Sequence, residues 1–244
     1  MDELHREKQG SLRLNRRDVR RLGRRGSGPS GSRRPRCIRE LIAGLTILAG
    51  AACGAPAERA ATFARLVETV HASIRTLRGL PIPVVAAVHG AVAGFGVSLM
   101  LACDLAIAAD DALFTLAYGQ IGTSPDGGAT FHLPRAVGQK RAMELAMLGE
   151  RIDAATAERF GLVNRVVPVA ELDSEVARVA GRLADGPTAA LARTKALLNE
   201  AYDRDLAAHL DAERDGFVAS AATADFAEGI AAFVAKRPPR FEGR

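Results

Sequence analysis

The 244-residue chain has no tryptophan, two tyrosines and three cysteines. It has no apolar run near the roughly 18–20 residues that a membrane-crossing helix requires, so no transmembrane segment and no membrane partner are expected. Cys37, Cys53 and Cys103 are widely separated and form no CxxC pair, which excludes a disulfide framework and a zinc ribbon from the reading. A reducing, cytoplasmic setting is expected on that ground. No phosphate-binding P-loop and no metal-ligand spacing occurs, so neither a metal nor a bound cofactor is expected. The first forty residues contain no aromatic side chain on which a nucleic-acid base could stack.

What the chain does have is charge, unevenly placed. Residues 1–40 carry 13 of its 33 Lys and Arg but only 5 of its 28 Asp and Glu. The overall excess of +5 therefore belongs to this arm, and the remaining 204 residues are slightly acidic. The arm, with "LNRRDVRRLGRRGSGPSGSRRPR", shows neither a period-2 nor a period-3.6 apolar pattern, so residues 1–40 are expected to be a disordered basic extension. Such an arm could meet phosphates, but without a stacking platform nucleic-acid binding is not the expected role. The stretch Leu41–Cys53 that follows resembles a signal h-region, and "NRR" resembles part of a twin-arginine signal. A leading region of about forty residues and Gly50 near the small-residue end argue against export.

Regular patterning begins at residue 54. Phe63, Leu66, Val67, Val70, Ile74 and Leu77 fall at helical spacing after Pro56, a good first-turn residue. His71 lies beside this stripe and is expected on the helix surface. "PIPVVAAVHG" reads as a buried strand entered by prolines and closed by glycine. A glycine bend and a helix, "GVSLMLACD", lead to a second strand, "LAIAA", and a third extended piece, "ALFTLAY". Strand, glycine turn, helix, strand is the pattern of an α/β protein with a buried parallel sheet.

The bend itself, "VHGAVAGFGVS", puts Gly90, Gly94 and Gly96 just before an apolar helix. A strand that turns sharply into a helix leaves the first helical N–H groups without intrahelical acceptors. Glycine permits both the bend and close approach of a ligand, so free N–H groups there can hold an anion or a developing oxyanion. Tight packing alone would use the same glycines.

In order and spacing, "AAVHGAVAGFGVSLMLACDLAIAADDALFTL", "IGTSPDGGATFHLPRAVG", "GERIDAATAERFGLVNRVVP" and "DFAEGIAAFVAKRPPRFEGR" resemble the enoyl-CoA hydratase/isomerase (crotonase) superfamily over about residues 54–244. The resemblance implies a ββα spiral over residues 41–180, ClpP-like in fold. It further implies a helical region over 181–244 for trimerisation and CoA contact, in a homotrimer or hexamer. The substrate would be an acyl-CoA thioester, with no cofactor beyond CoA itself. Two backbone N–H groups would hold the thioester oxygen as an enolate forms. Phe95, between Gly94 and Gly96, would give the second of them.

Hydration in this family uses two glutamates, and motif matching puts Ser98 and Tyr118 at those positions. A hydroxyl and a phenol are poor general bases near neutral pH, so hydration is not expected. Asp126 of "SPDGG" matches an aspartate that, in part of the superfamily, shuttles a proton between the α- and γ-carbons during double-bond isomerisation. The same residue type before Gly-Gly could equally cap a helix. Phe233 and Lys236 match positions where the last helix touches CoA. His89 and His132 are expected to be structural, Asp104 to hold a structural hydrogen bond, and Lys195 to be a solvated helix lysine.

The N-terminal quarter departs from the family pattern. In the best register "RRPRCIREL" (33–41) stands against a segment such as "FCAGADL", with Arg36 at the first oxyanion donor and Pro35 in place of a glycine. No strand is expected within 1–36, which leaves the sheet without its first strands. A frame change before Ile38 would produce such a replacement. So would a divergent member whose arm has been exchanged. The alternative to an isomerase is accordingly a non-catalytic crotonase-fold protein that binds acyl-CoA, a protein partner or RNA.

Overall fold

The computed structural model describes residues 37–39 and 55–243. The arginine-rich arm, the apolar stretch 41–53 and the proposed register of Pro35 and Arg36 lie outside them. At Cys37–Arg39 the chain forms β1, which pairs in parallel with the edge of the next strand. These three residues belong to the stretch assigned from sequence to the extension.

Pro56, which has no N–H to leave unpaired in a first helical turn, opens α1 (Pro56–Gly79). Of its apolar stripe, Ile74 and Leu77 are buried and Phe63, Leu66, Val67 and Val70 are half-buried. β2 (Val85–Val88) follows, and the chain steps at Gly90 into β3 (Ala91–Ala93), which belongs to a second sheet. α2 (Phe95–Leu101) then carries it back to β4 (Leu105–Ala109), parallel to β2, with Val85 opposite Leu105. From β4 the chain steps again to β5 (Leu113–Thr115), parallel to β3 with Ala91 opposite Leu113. Each turn thus adds one strand to each of two sheets. This is the ββα spiral expected from the resemblance.

A 3-10 turn at Tyr118–Ile121 leads to α3 (Ala129–Val137) and α4 (Gln139–Leu148). β6 (Ile152–Asp153) pairs antiparallel with β5, then α5 (Ala154–Phe160) leads to β7 (Arg165–Val167) beside β4. The sheet orders are β1-β2-β4-β7 and β3-β5-β6. α6 (Leu172–Ala184), α7 (Thr188–Glu200), α8 (Leu206–Ala221) and α9 (Ala224–Val234) complete the described chain.

β2 and β4 read as unbroken apolar runs because both faces of their sheet are covered. Ala86, Val88, Ala106 and Ala108 face the main core, with Val97 and Met100 of α2. The alternate residues Val85, Ala87, Ile107 and Ala109 pack against Leu172 and Val176 of α6. No single described helix is long and apolar enough to cross a membrane.

One expectation is corrected here. Lys195 is not solvated: it is buried on α7, and its ammonium donates to the carbonyls of Leu77 (3.3 Å) and Ile82 (3.1 Å). It also pairs with Asp104 at 2.8 Å. Asp104 holds the structural role expected of it, accepting the Val84 N–H at 2.8 Å. The physical reason is packing of α7 over the end of α1 and the loop before β2, where two carbonyls and a carboxylate converge on one cation. Nothing local to "RTKALL" announces those acceptors.

Candidate active site

Gly94 ends β3 with φ 54° and ψ −120°, a backbone conformation costly for any residue with a Cβ. Its N–H donates to the Thr115 carbonyl at 3.0 Å, tying the bend to β5. Its own carbonyl accepts from Val97 (3.0 Å) and Ser98 (3.4 Å), which starts α2. The Phe95 N–H precedes those bonds and has no acceptor among the described residues. It is therefore a free donor at the bend, with half-buried Gly94 and buried Gly96 on either side.

Ser98, one turn into α2, is wholly buried, at 0% exposure. Its hydroxyl donates to the Asp126 carbonyl at 2.8 Å and lies 3.2 Å from the Tyr118 hydroxyl. Tyr118 begins the 3-10 turn after Ala117, whose φ of 53° is unusual for a residue with a side chain. That bend aims the phenol inward, where it donates to the Asp126 carboxylate at 2.5 Å. Burial, with the Asp126 carboxylate adding to it, pushes the Tyr118 phenol well above its ordinary value. Tyr118 therefore stays protonated and acts as a donor. Sequence matching brought Ser98, Tyr118 and Asp126 to one site, and the fold joins them by hydrogen bonds.

Asp126 does not cap a helix with its side chain. The residue before α3 is Gly128, and no side chain caps that end. The carboxylate points instead to Tyr118 and is half-buried. Gly127 next to it has φ +60°, and a Cβ there would lie 2.9 Å from both Phe95 Cδ2 and Ser98 Cβ. The turn can press against the first turn of α2 only because residue 127 lacks a side chain.

His71 is a residue whose position sequence reasoning missed. Expected on the surface of α1, it is half-buried, and its Nε2 accepts the Gly127 N–H at 3.4 Å. The peptide joining Asp126 to Gly127 is thus held from α1 as well as from α2. The lone signal in the sequence was a histidine next to the apolar stripe, which cannot identify a partner so far along the chain.

His132, on α3, packs against Gly128 and stands edge-on to Phe131 with ring centroids 5.0 Å apart. Burial, aided by the Arg78 and Arg135 guanidinium groups, pushes its imidazole down to about 4, so it is neutral near pH 7. His89 is exposed at the step between the sheets. Phe233, at 84% exposure, and Lys236, with φ 51°, lie at the far end of α9. No hydrogen bond or ion pair among the described residues links either side chain to the Asp126 cluster. No group of three or more His, Cys, Asp or Glu side chains suited to a metal occurs among the described residues.

The cluster offers the Phe95 N–H, one carboxylate and two buried hydroxyls hydrogen-bonded to Asp126. That set can stabilise negative charge on an oxygen and move one proton. It has no second carboxylate to direct a water molecule.

Residues 43–244 match the family model described as enoyl-CoA hydratase/isomerase. The chain is 42% identical over 171 residues to a Rhodobacter capsulatus protein named "Probable enoyl-CoA hydratase", covering 70% of this chain and 66% of the relative. It is 41% identical over 171 residues to the 1,2-epoxyphenylacetyl-CoA isomerase of Escherichia coli K12, covering 70% and 65% respectively. The chain thus spans about two thirds of the length of these curated relatives. A crystal structure of an enoyl-CoA hydratase from Polaromonas sp. JS666 superposes with a TM-score of 0.75 at 42% identity, over 82% of this chain and 76% of that one.

Proposed function

The chain belongs to the enoyl-CoA hydratase/isomerase family, and on that premise we propose that it moves the double bond of an enoyl-CoA through a thioester enolate. The observation that carries the reading is the Asp126 carboxylate, held by Tyr118 at 2.5 Å, in a cluster whose other two side chains are hydroxyls. A relative 41% identical carries an isomerase name, while others are named hydratases, so relatedness alone leaves the reaction open.

The proposed step balances with one base. Asp126 takes a proton from C2 of a 3-enoyl-CoA, and the electron pair of that C–H bond delocalises onto the thioester oxygen. The Phe95 N–H donates to that oxygen. The same proton returns from Asp126 to C4 as the enolate collapses, leaving the conjugated 2-enoyl-CoA. Nothing is consumed, and no water enters. One donor of this kind is worth on the order of 2.7–4 kcal/mol of transition-state stabilisation. An acyl-CoA substrate fits the family; the assembly proposed is a trimer or pair of trimers, and the compartment proposed is cytoplasmic.

The test is incubation of purified protein with a 3-enoyl-CoA, following the ultraviolet absorbance of the conjugated product, with Asp126→Asn alongside. Conversion by the parent protein and a loss of at least about 100-fold in the variant is the expected result. Formation of a 3-hydroxyacyl-CoA from a 2-enoyl-CoA at a comparable rate would replace isomerisation by hydration. No conversion of either substrate by folded protein would favour a binding role.

A further inference from the structure

The carbonyl of Asp126 and the N–H of Gly127 are the two ends of one peptide unit. Ser98 Oγ donates to the carbonyl end at 2.8 Å, and His71 Nε2 accepts from the N–H end at 3.4 Å. Side chains from two different helices therefore grip opposite ends of the peptide that follows the carboxylate-bearing residue. A peptide plane can rotate about its flanking bonds with little cost in a glycine-rich turn, and Gly127 at φ +60° followed by Gly128 at φ +80° is such a turn. Within the turn the Ala129 N–H donates to the Asp126 carbonyl at 3.2 Å, so the backbone steadies the carbonyl end, whereas the N–H end is met by His71. Meanwhile Tyr118 holds one carboxylate oxygen, which leaves the other available to a substrate.

We propose that His71 and Ser98 are positioning residues: they lock the 126–127 peptide plane from both ends so that Asp126 presents its carboxylate in a single orientation. His71 is the member of the set with no counterpart in the expected chemistry, and its role is specific. It must offer an unprotonated Nε2, because only a lone pair can receive the Gly127 N–H. Ser98 has a matching requirement. Its one proton goes to the Asp126 carbonyl and that of Tyr118 to the Asp126 carboxylate, so the 3.2 Å approach of the two hydroxyls shares no proton. Gly127 completes the arrangement, since any side chain there would push the turn away from Phe95 and Ser98. The inference rests on the isomerase reading only for its kinetic readout; the clamp itself is a property of the fold.

The test uses the full chain with two readouts. His71→Phe keeps the ring and removes the acceptor, and His71→Gln restores an acceptor through its amide oxygen. In isomerase assays His71→Phe is expected to lower kcat by about 10- to 100-fold with KM changed less than about threefold, and His71→Gln to recover most of the loss. Independently of activity, hydrogen exchange at the Gly127 amide is expected to be slow in the parent protein. It should be at least about tenfold faster in His71→Phe while amides of β2 and β4 keep their rates. Should His71→Phe fail to fold, Ser98→Ala carries the same exchange measurement from the other end of the peptide. Unchanged Gly127 exchange in these variants overturns the clamp, whatever happens to activity. A raised KM with kcat intact also overturns it, by making His71 a substrate contact. If the parent protein isomerises nothing but Gly127 exchange responds as stated, the clamp stands and the isomerase reading falls.

Discussion

Tyr118 is a phenol whose proton is committed to a carboxylate, and removing that hydroxyl frees one oxygen of Asp126 without changing the shape of the core. Tyr118→Phe is expected to lower kcat/KM by roughly tenfold, the range of a charge-assisted hydrogen bond, while leaving unfolding by urea nearly unaltered. Steady-state kinetics and a denaturation curve on one preparation decide it. Gly127→Ala acts on the same turn sterically: with φ +60° and carbon atoms 2.9 Å from the added methyl, a loss of about 1–3 kcal/mol is expected in urea unfolding. His132 gives a pH signature. Its folded value of about 4 lies below the ordinary 6.5, so the unfolded chain binds the extra proton between those pH values. Its contribution to stability is present above about pH 6.5 and is lost as pH falls toward 4. A His132 imidazole signal titrating near 6.5 in the folded protein would contradict this. Of these side chains, Ser98, Tyr118 and Asp126 were legible from motif order, because hydrogen-bonding groups stood where a family places its acids. His71 was not legible. A histidine beside an apolar stripe looks the same whether it meets water or a peptide N–H from a later turn.

Among the elements, α7 is attached to the sheet by a polar contact. Lys195 and Asp104 are both largely buried, with side-chain exposures of 7% and 18%, and Arg78 stands farther off at 3.9 Å. Truncating Asp104 leaves the buried Lys195 ammonium without its counter-charge, whereas truncating Lys195 leaves Asp104 with the more distant Arg78. Asp104→Ala is therefore expected to cost about 3 kcal/mol or more, and Lys195→Ala with Asp104→Ala less than the sum of the two single changes. A double-mutant cycle by urea unfolding measures this, and additivity would show that the pair is not coupled. The strands were easier to foresee than this contact. "PVVAAV" and "LAIAA" are apolar on both faces, which only a covered parallel sheet can accommodate, and they became β2 and β4. The partners of Lys195 depend on how α7 lands, 118 residues after the Leu77 carbonyl it meets, and no local pattern records that.

At the scale of the whole molecule, α8 and α9 expose Phe217, Val218, Ile230 and Phe233 at 52–84%. Surfaces of this kind fit the homotrimer or hexamer expected from the resemblance, and light scattering coupled to size exclusion should show a mass three or six times 25.7 kDa. A monomer would count against it. The spiral also has a consequence in time. β2 pairs with β4 and β3 with β5 across the whole of α2, so both sheets are extended by the same turn of the spiral. The groups that hold Asp126 come from α1, α2 and the 3-10 turn after β5, which lie on successive turns. Local helices form quickly, whereas contacts between distant parts of a parallel sheet are slow to close. During refolding from urea the helical signal should therefore return first. Asp126 acquires its fixed orientation only when the later turn has stacked on the earlier one, so competence of the site would be among the last properties the chain recovers.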